Sequence, residues 1–406
     1  MIRFGFDDIE TMESKDKCIC FHLNDDLYKF EKDIVDNFIK RDEFFFYHLL
    51  IWHVSFFRDN EPFVLPEKIL NRIKVKKCKF LLFFITEPWF MYDHTFKWLS
   101  DFSKLNGLEK DDFIFISSNL KSNELKEKYL KEGIIEDNHT IIEFNYFFHR
   151  LWFFPHHFHN PHSIEIYNET LEKHLTLWRN IPKEKHFLCF NRKAHNHRIY
   201  IFAELMSNPK LIGKSHVTLG SRHLFGPLNF SEGIRRIVNP NYKHGYERLC
   251  DFIDNYDSSV DFKYDVGLDD EQSINININA HSRTFCNVVT ETQIVEETMF
   301  FSEKIIKPIF AVQPFIIIGC RGSLKKLKEF GFKTFDRWWD ESYDDAMYTE
   351  RFEKIIETLE YIASWDEDKL KNVIVEMEET LVHNYNMLLE DNSTKLFFNE
   401  FLKYNK

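Results

Sequence analysis

Glycine and proline are scarce in this 406-residue chain, at 12 and 11. Long flexible linkers and disordered low-complexity tracts are therefore not expected. Cysteine is odd in number, with seven residues (18, 20, 78, 189, 250, 286, 320) and no CxxC spacing. This argues against a disulfide framework and a structural zinc site, and for a reducing compartment such as the cytoplasm. No apolar run approaches the ~18–20 residues of a membrane span. The longest, FLLFFI (80–85) and FIIIG (315–319), suit buried strands. The start, MIRFGFDDIETMESKDK, is acidic and lacks the apolar region of a signal peptide. GxGxxG, GxxxxGK[ST] and GxSxG are all missing, and a DxD pair for a divalent metal has no convincing candidate; Asp269-Asp270 and Asp344-Asp345 are adjacent acids on polar segments. There is no internal repeat. Basic excess is missing too: the net charge of −12 argues against a general nucleic-acid coat while leaving room for a local basic cleft.

What is present is a globular composition, 44% hydrophobic and 29% charged, with 44 phenylalanines. Abundant Phe, Asn, Lys and Ile fit the codon bias of an A/T-rich genome, such as that of a low-GC bacterium, a protist or a virus. The chain is long for one core, so two domains are expected. CICFHL (18–23), KFLLFFITEPW (79–89), DDFIFISSNL (111–120) and TIIEF (140–144) read as strands. Residues 26–54 read as mostly helical, and SNELKEKYLKEGI as a charged helix. Strands alternating with helices point to a parallel sheet covered on both faces. A polar, His-rich stretch within 155–185 reads as a linker. Beyond it, HFLCFNRKAHNHRIYIFAELMSN reads as strand, loop and helix. INININAHSRTFCNVVTET (274–292) reads as two strands, the first alternating Ile and Asn. FFSEKIIKPIFAVQPFIIIG reads as helix then strand, SLKKLKEFGFKTF as helix, turn and short strand, and the end from about 345 as helical.

Several constellations fall at strand ends, where open α/β sheets bind ligands. Ser302 is a good N-cap, placing Glu303 and Lys304 in a first helical turn. The free N–H groups and positive dipole there favour a phosphate. Lys307 lies one turn on and shares a face with Lys304. Together these would make a nucleotide-diphosphate site in miniature; from these residues alone a capped helix with an acidic first turn and solvated lysines accounts for them somewhat better. Asn191, Arg192, His197 and Arg198 follow a buried strand in CFNRKAHNHR, which fits a phosphate clamp or a basic surface loop. Glu291 ends the strand in VVTET and suits sugar or ribose recognition. Glu296 and Glu297 fit a solvated helix face. Glu87, after a strongly apolar strand, fits either a general base with a raised pKa or a turn residue accepting backbone N–H bonds. His149, His156, His157, His159 and His162 form no clean metal-ligand spacing, and a packed or ligand-contacting loop accounts for them better than a metal site.

Taken together, FNRKAHNHR, FSEKIIKPIFAVQPFIIIGCRGSLKKLKEFGFKTF and WWDESYDDA (338–346) resemble the donor-site signature of fucosyltransferase-like and exostosin-like glycosyltransferases. They are more similar still to glycosyltransferase-like proteins of phages, viruses and bacteria. The resemblance covers roughly residues 186–365. It implies an α/β, GT-B-like architecture of two Rossmann-like domains. These would be an acceptor domain over 1–170, a donor domain over 186–365, and C-terminal helices over 366–406 packing back on the first domain. It implies that Arg192 and Arg198 contact donor phosphates, Glu303 the ribose and Lys304 the diphosphate, with Glu87 as base. His195 stands where relatives often carry Arg.

The expected activity is metal-independent, inverting transfer of a sugar from a nucleoside-diphosphate sugar to a hydroxyl acceptor. That acceptor would be a glycan, a lipid-linked oligosaccharide or, for a viral source, a hydroxylated DNA base. No cofactor beyond the donor substrate is expected. The alternative is a non-catalytic nucleotide- or glycan-binding protein on the same fold.

Overall fold

Two parallel sheets organise the chain. The computed structural model describes residues 4–5, 39–51, 55–84, 87–88, 93–145, 164–220, 237, 241, 245–256, 276–390 and 392–404. The chain divides into one unit of residues 1–146, 297–300 and 393–406, and another of 147–296 and 301–392.

In the first unit, β1 (Phe4–Gly5), β2 (Phe45–Ile51), β3 (Cys78–Phe84), β4 (Phe113–Ser117) and β5 (Thr140–Glu143) lie side by side in chain order. All are parallel. Sequential order with right-handed crossovers puts the crossover helices on one face. Helices Glu67–Lys74, Asp93–Asn106 and Ser122–Lys131 accordingly share one core with Phe45, Phe80, Leu82, Phe84, Phe113 and Phe115. The alternate residues Phe46, Leu81, Ile114, Ile116 and Ile142 face a second core, closed by Phe397 and Phe401 of the C-terminal helix Asn392–Phe401. Burial on both faces explains why these strands read as nearly unbroken apolar runs. It also employs the phenylalanines. Phe80, Phe102 and Phe113 pack mutually with centroids 5.1–5.5 Å apart, and Trp98 stacks on Phe102 at 5.2 Å. The polar end of β4 receives residues 297–300: Asn119 Nδ2 donates to Glu297 O (3.1 Å), and Met299 N donates to Asn119 Oδ1 (2.9 Å).

In the second unit the sheet contains β6 (Lys185–Cys189), β7 (Ser215–Val217), β8 (Thr284–Thr290) and β9 (Phe315–Ile318), in the spatial order β7-β6-β8-β9 and all parallel. Helices Ile164–Asn180 and Glu303–Phe310 both pack against the long helix Glu367–Glu390. His174 Nδ1 meets Phe310 O at 2.7 Å, and Trp178 Nε1 donates to Ile374 O at 3.3 Å. The helical tail is thus divided, Glu367–Glu390 in the second unit and Phe397 with Phe401 on the first sheet. Among the described residues, no helix is long and apolar enough to cross a membrane.

Three local expectations are overturned. Residues 45–51, read within a helix, form β2, because an apolar run carries no period of its own and pairing with β1 and β3 decides its state. Residues 278–282, read as strand, form a short helix, whose N-cap Asn277 accepts from Ala280 N at 3.1 Å. The short strand expected near 333–335 is missing because the Asn384 side chain takes the place of a strand partner. It accepts from Lys333 N and donates to Lys333 O, both at 2.8 Å. The strand read at 18–23 and the His149–His162 cluster lie outside the described residues.

Candidate functional site at the switch point of the second sheet

From β6 the chain steps outward to β7, then crosses back to β8 on the other side of β6. The direction of winding reverses between β6 and β8, and ligands of open α/β sheets bind in the crevice at such a reversal, outside the carboxyl ends of the strands. The loop after β6 opens with Asn191 and Arg192, and the loop after β8 with Glu291, Thr292 and Gln293.

Asn191 is 1% exposed and fastens three strand ends. Its N–H donates to Thr218 Oγ1 (3.0 Å), its Oδ1 accepts from Thr290 Oγ1 (2.6 Å), and its Nδ2 donates to Cys189 Sγ (3.3 Å). Arg192 is exposed, and its carbonyl presses on Gly220, where a Cβ would lie 2.0 Å from the oxygen. His197 and Arg198 begin the helix Asn196–Ser207 and are both buried. His197 Nε2 lies 2.8 Å from Glu291 O. Burial, reinforced by Arg198, lowers this imidazole to about 3, so it is neutral; facing a carbonyl, Nε2 must carry the proton. Arg198 donates to Thr290 O (3.1 Å), Glu291 O (3.3 Å) and Lys193 O (3.4 Å). Both residues brace the main chain at the end of β8. His195, the N-cap of that helix, stacks on His197 with centroids 5.9 Å apart.

Glu291 is fully buried, and burial pushes its carboxyl upward against the pull of Lys304 and Ser302. Its Oε2 accepts from Ser302 N (3.1 Å) and Ser302 Oγ (2.5 Å). Ser302 also caps the helix Glu303–Phe310, its Oγ accepting from Lys304 N at 3.3 Å. The Lys304 ammonium gathers around the same point: Nζ donates to Ser302 Oγ (3.1 Å), Thr292 Oγ1 (3.4 Å) and Glu303 Oε1 (3.2 Å). Burial alone would raise the Glu303 carboxyl, but Lys304 and Lys307 outweigh it and hold the group below the usual carboxylate range. Lys304 keeps 26% of its side chain exposed, whereas Lys307 is 7% exposed. The result is a capped helix start with a partly open cation beside a sealed carboxylate.

The structure therefore brings Asn191, His197, Arg198, Glu291, Ser302, Glu303 and Lys304 together at the carboxyl ends of β6 and β8, with His197 and Arg198 turned to main-chain carbonyls, while Arg192 is exposed on the loop after β6 and Lys307 is buried in the helix. Glu87 lies in the other unit, half-buried beyond β3 and followed by buried Pro88. Sequence reasoning passed over Gln293 and Arg351, both buried in the second unit. Gln293 follows directly on VVTET, but a neutral amide carries no spacing signal. Arg351 sits in a surface-patterned helix, Tyr348–Ala363, far along the chain. Among the described residues no group of His, Cys, Asp or Glu could hold a metal ion.

No protein-family model matches the chain, and no curated protein matches it.

Proposed function

We propose that this chain is a GT-B-type glycosyltransferase that moves a sugar from a nucleoside-diphosphate sugar to a hydroxyl acceptor. The supporting observation is the array Glu291–Ser302–Lys304 at the switch point of the second sheet, where a capped helix start lies beside a partly exposed lysine side chain. In this reading the acceptor oxygen attacks C1 of the donor sugar and the C1–O bond to phosphate breaks. The diphosphate leaves with the electron pair, and a base takes the acceptor proton. One displacement inverts C1. The growing charge on the diphosphate is met by Lys304, by the exposed Arg192 and by the helix N–H groups. Glu303, ionised, accepts from the ribose hydroxyls. His197 and Arg198 act one step back, holding the Thr290–Glu291 carbonyls so that the crevice keeps its shape. Glu87 is the proposed base; a carboxylate after an apolar strand is suited to proton removal.

Thermal shift and calorimetry with UDP-, GDP-, CMP- and dTDP-sugars, with and without EDTA, test this on wild type and Lys304→Ala. One nucleotide series should raise the wild-type Tm in both conditions, with the shift lost in the variant. No response from any donor at millimolar concentration would sink the transferase reading. Donor binding without sugar transfer to any acceptor would instead favour a nucleotide-binding protein on this fold.

A further inference from the structure

Three buried polar residues meet the Gly319-Cys320 turn at the end of β9, Glu291 and Arg351 through their side chains and Gln293 through its main-chain carbonyl, and each keeps a side-chain polar atom without a hydrogen-bond partner. Glu291 packs against Gly319 so closely that a Cβ there would lie 3.2 Å from its Cγ, and its Oε1 is buried with no hydrogen-bond partner. Gln293 is 1% exposed; its main-chain O accepts from Cys320 Sγ (3.5 Å), while its side-chain amide has no partner for either polar atom. Arg351 is 4% exposed and donates from Nη2 to Cys320 O at 3.1 Å, and its Nε has no partner. The same carbonyl already accepts from Ser323 N (3.2 Å) and Ser323 Oγ (2.5 Å). Among the described residues no carboxylate forms an ion pair with Arg351. The acids that act on it from further off are Asp344, whose two oxygens accept from Leu324 N and Lys325 N, and Glu296, which lies 4.0 Å from Arg321.

Folding gains nothing from this arrangement. A buried amide with neither atom paired is costly, and a buried guanidinium without a counter-ion more so. What the groups share is complementarity to an oxyanion beside a hydroxyl. The guanidinium and the amide N–H donate, while the Gln293 carbonyl and Glu291 Oε1 accept. We propose that Arg351 and Gln293 form an oxyanion pocket at the Cys320 turn that takes a phosphoryl group of the diphosphate, with Glu291 Oε1 accepting from a hydroxyl of the same ligand. This deepens the nucleotide-sugar reading of the crevice and rests on it.

The test uses the full chain, titrated by thermal shift and calorimetry with inorganic pyrophosphate, orthophosphate and the nucleotide sugars. Variants are Arg351→Met, Arg351→Lys and Gln293→Leu. Because they remove unpaired buried groups, Arg351→Met and Gln293→Leu should each raise the Tm measured without ligand. Each should also weaken pyrophosphate binding by roughly tenfold or more, with Arg351→Lys retaining part of it. Should Arg351→Met fail to fold, the other two variants carry the comparison. A wild-type pyrophosphate response in Arg351→Met or Gln293→Leu overturns the pocket, as does a wild type indifferent to pyrophosphate. Donor binding that needs Lys304 but ignores Arg351 and Gln293 overturns the pocket and leaves the transferase reading standing. A pyrophosphate response lost in Arg351→Met, without any nucleotide-sugar response, keeps the pocket and removes the transferase reading.

Discussion

Ser302 Oγ lies 2.5 Å from Glu291 Oε2, and the Ser302 backbone N–H donates to the same oxygen at 3.1 Å. One serine thus does two things. It fixes a sealed carboxylate at the end of β8, and it caps the helix that follows by accepting from Lys304 N.

Ser302→Ala removes all three hydrogen bonds of the hydroxyl, to Glu291 and from Lys304 N and Nζ, and leaves Glu291 with a single donor. The expected loss is about 2 kcal/mol, a cap and part of a buried charge-assisted bond together. Ser302→Thr keeps the hydroxyl and should recover most of it. Urea denaturation of the three proteins decides; an alanine variant as stable as wild type would show that the Ser302–Glu291 bond contributes nothing.

Gly220 and Gly319 differ in how much room they leave. A Cβ at Gly220 would fall 2.0 Å from the Arg192 carbonyl oxygen, which cannot yield without moving the loop after β6. At Gly319 the nearest atoms, at 3.2 Å, belong to side chains. Gly220→Ala should therefore cost about 3 kcal/mol and Gly319→Ala about 1 kcal/mol. Equal midpoints in a denaturation series would contradict this order.

Glu341 gives the fold a pH dependence. Burial pushes its carboxyl up to about 7, despite the N–H of Phe335 that donates to it at 2.7 Å. The folded pKa is above the unfolded one, so its contribution is complete below about 4.5 and is lost as pH rises through about 7. At pH 8 the charged group should penalise the fold by on the order of 3 kcal/mol. Glu341→Gln should gain over wild type at pH 8 and show little gain at pH 4.5. A Tm difference that stays flat between these pH values would refute the assignment.

The face of the first sheet turned away from its crossover helices depends on Phe397, which stacks on Phe144 with ring centroids 4.2 Å apart. Phe397→Ala should cost about 3–5 kcal/mol through the cavity left against Phe46 and Ile142. Guanidinium unfolding measures it, and a loss below about 1 kcal/mol would mean that the helix merely rests on the sheet.

Lys304 and Glu87 separate binding from chemistry in the proposed transfer. The Lys304–Glu303 pair is partly exposed, so Lys304→Ala should cost less than about 1 kcal/mol of stability while abolishing the donor-induced shift. Glu87→Gln should leave donor affinity intact and lower turnover by about 10²–10⁴-fold. Turnover at the wild-type rate in Glu87→Gln would remove that residue as base.

Much of the organisation was legible in the residues alone. Apolar runs such as FLLFFI and FIIIG can only be buried, and the residues that follow such runs must then emerge at strand ends; this put Asn191 and Glu291 in view at the carboxyl ends of strands. Ser302 as a cap followed from local chemistry alone, since an N-cap needs nothing beyond its own helix. The winding order was beyond reach. No residue near Ser215–Val217 announces that β7 lies outside β6, yet that placement creates the reversal at which Asn191 and Glu291 stand side by side. Nor could the sequence tell that Arg198 would be drawn inward to the Thr290 and Glu291 carbonyls while Arg192, six residues earlier, stays exposed, because which way a cation turns depends on carbonyls supplied at the end of β8, 92 and 93 residues away. The same reason hid Asn384 as the partner of Lys333 and Arg351 as the neighbour of Cys320. Burial and capping are decided within a few residues of chain and can be read there; hydrogen-bond partners across elements are set by the packing of distant segments, and only the tertiary structure decides them.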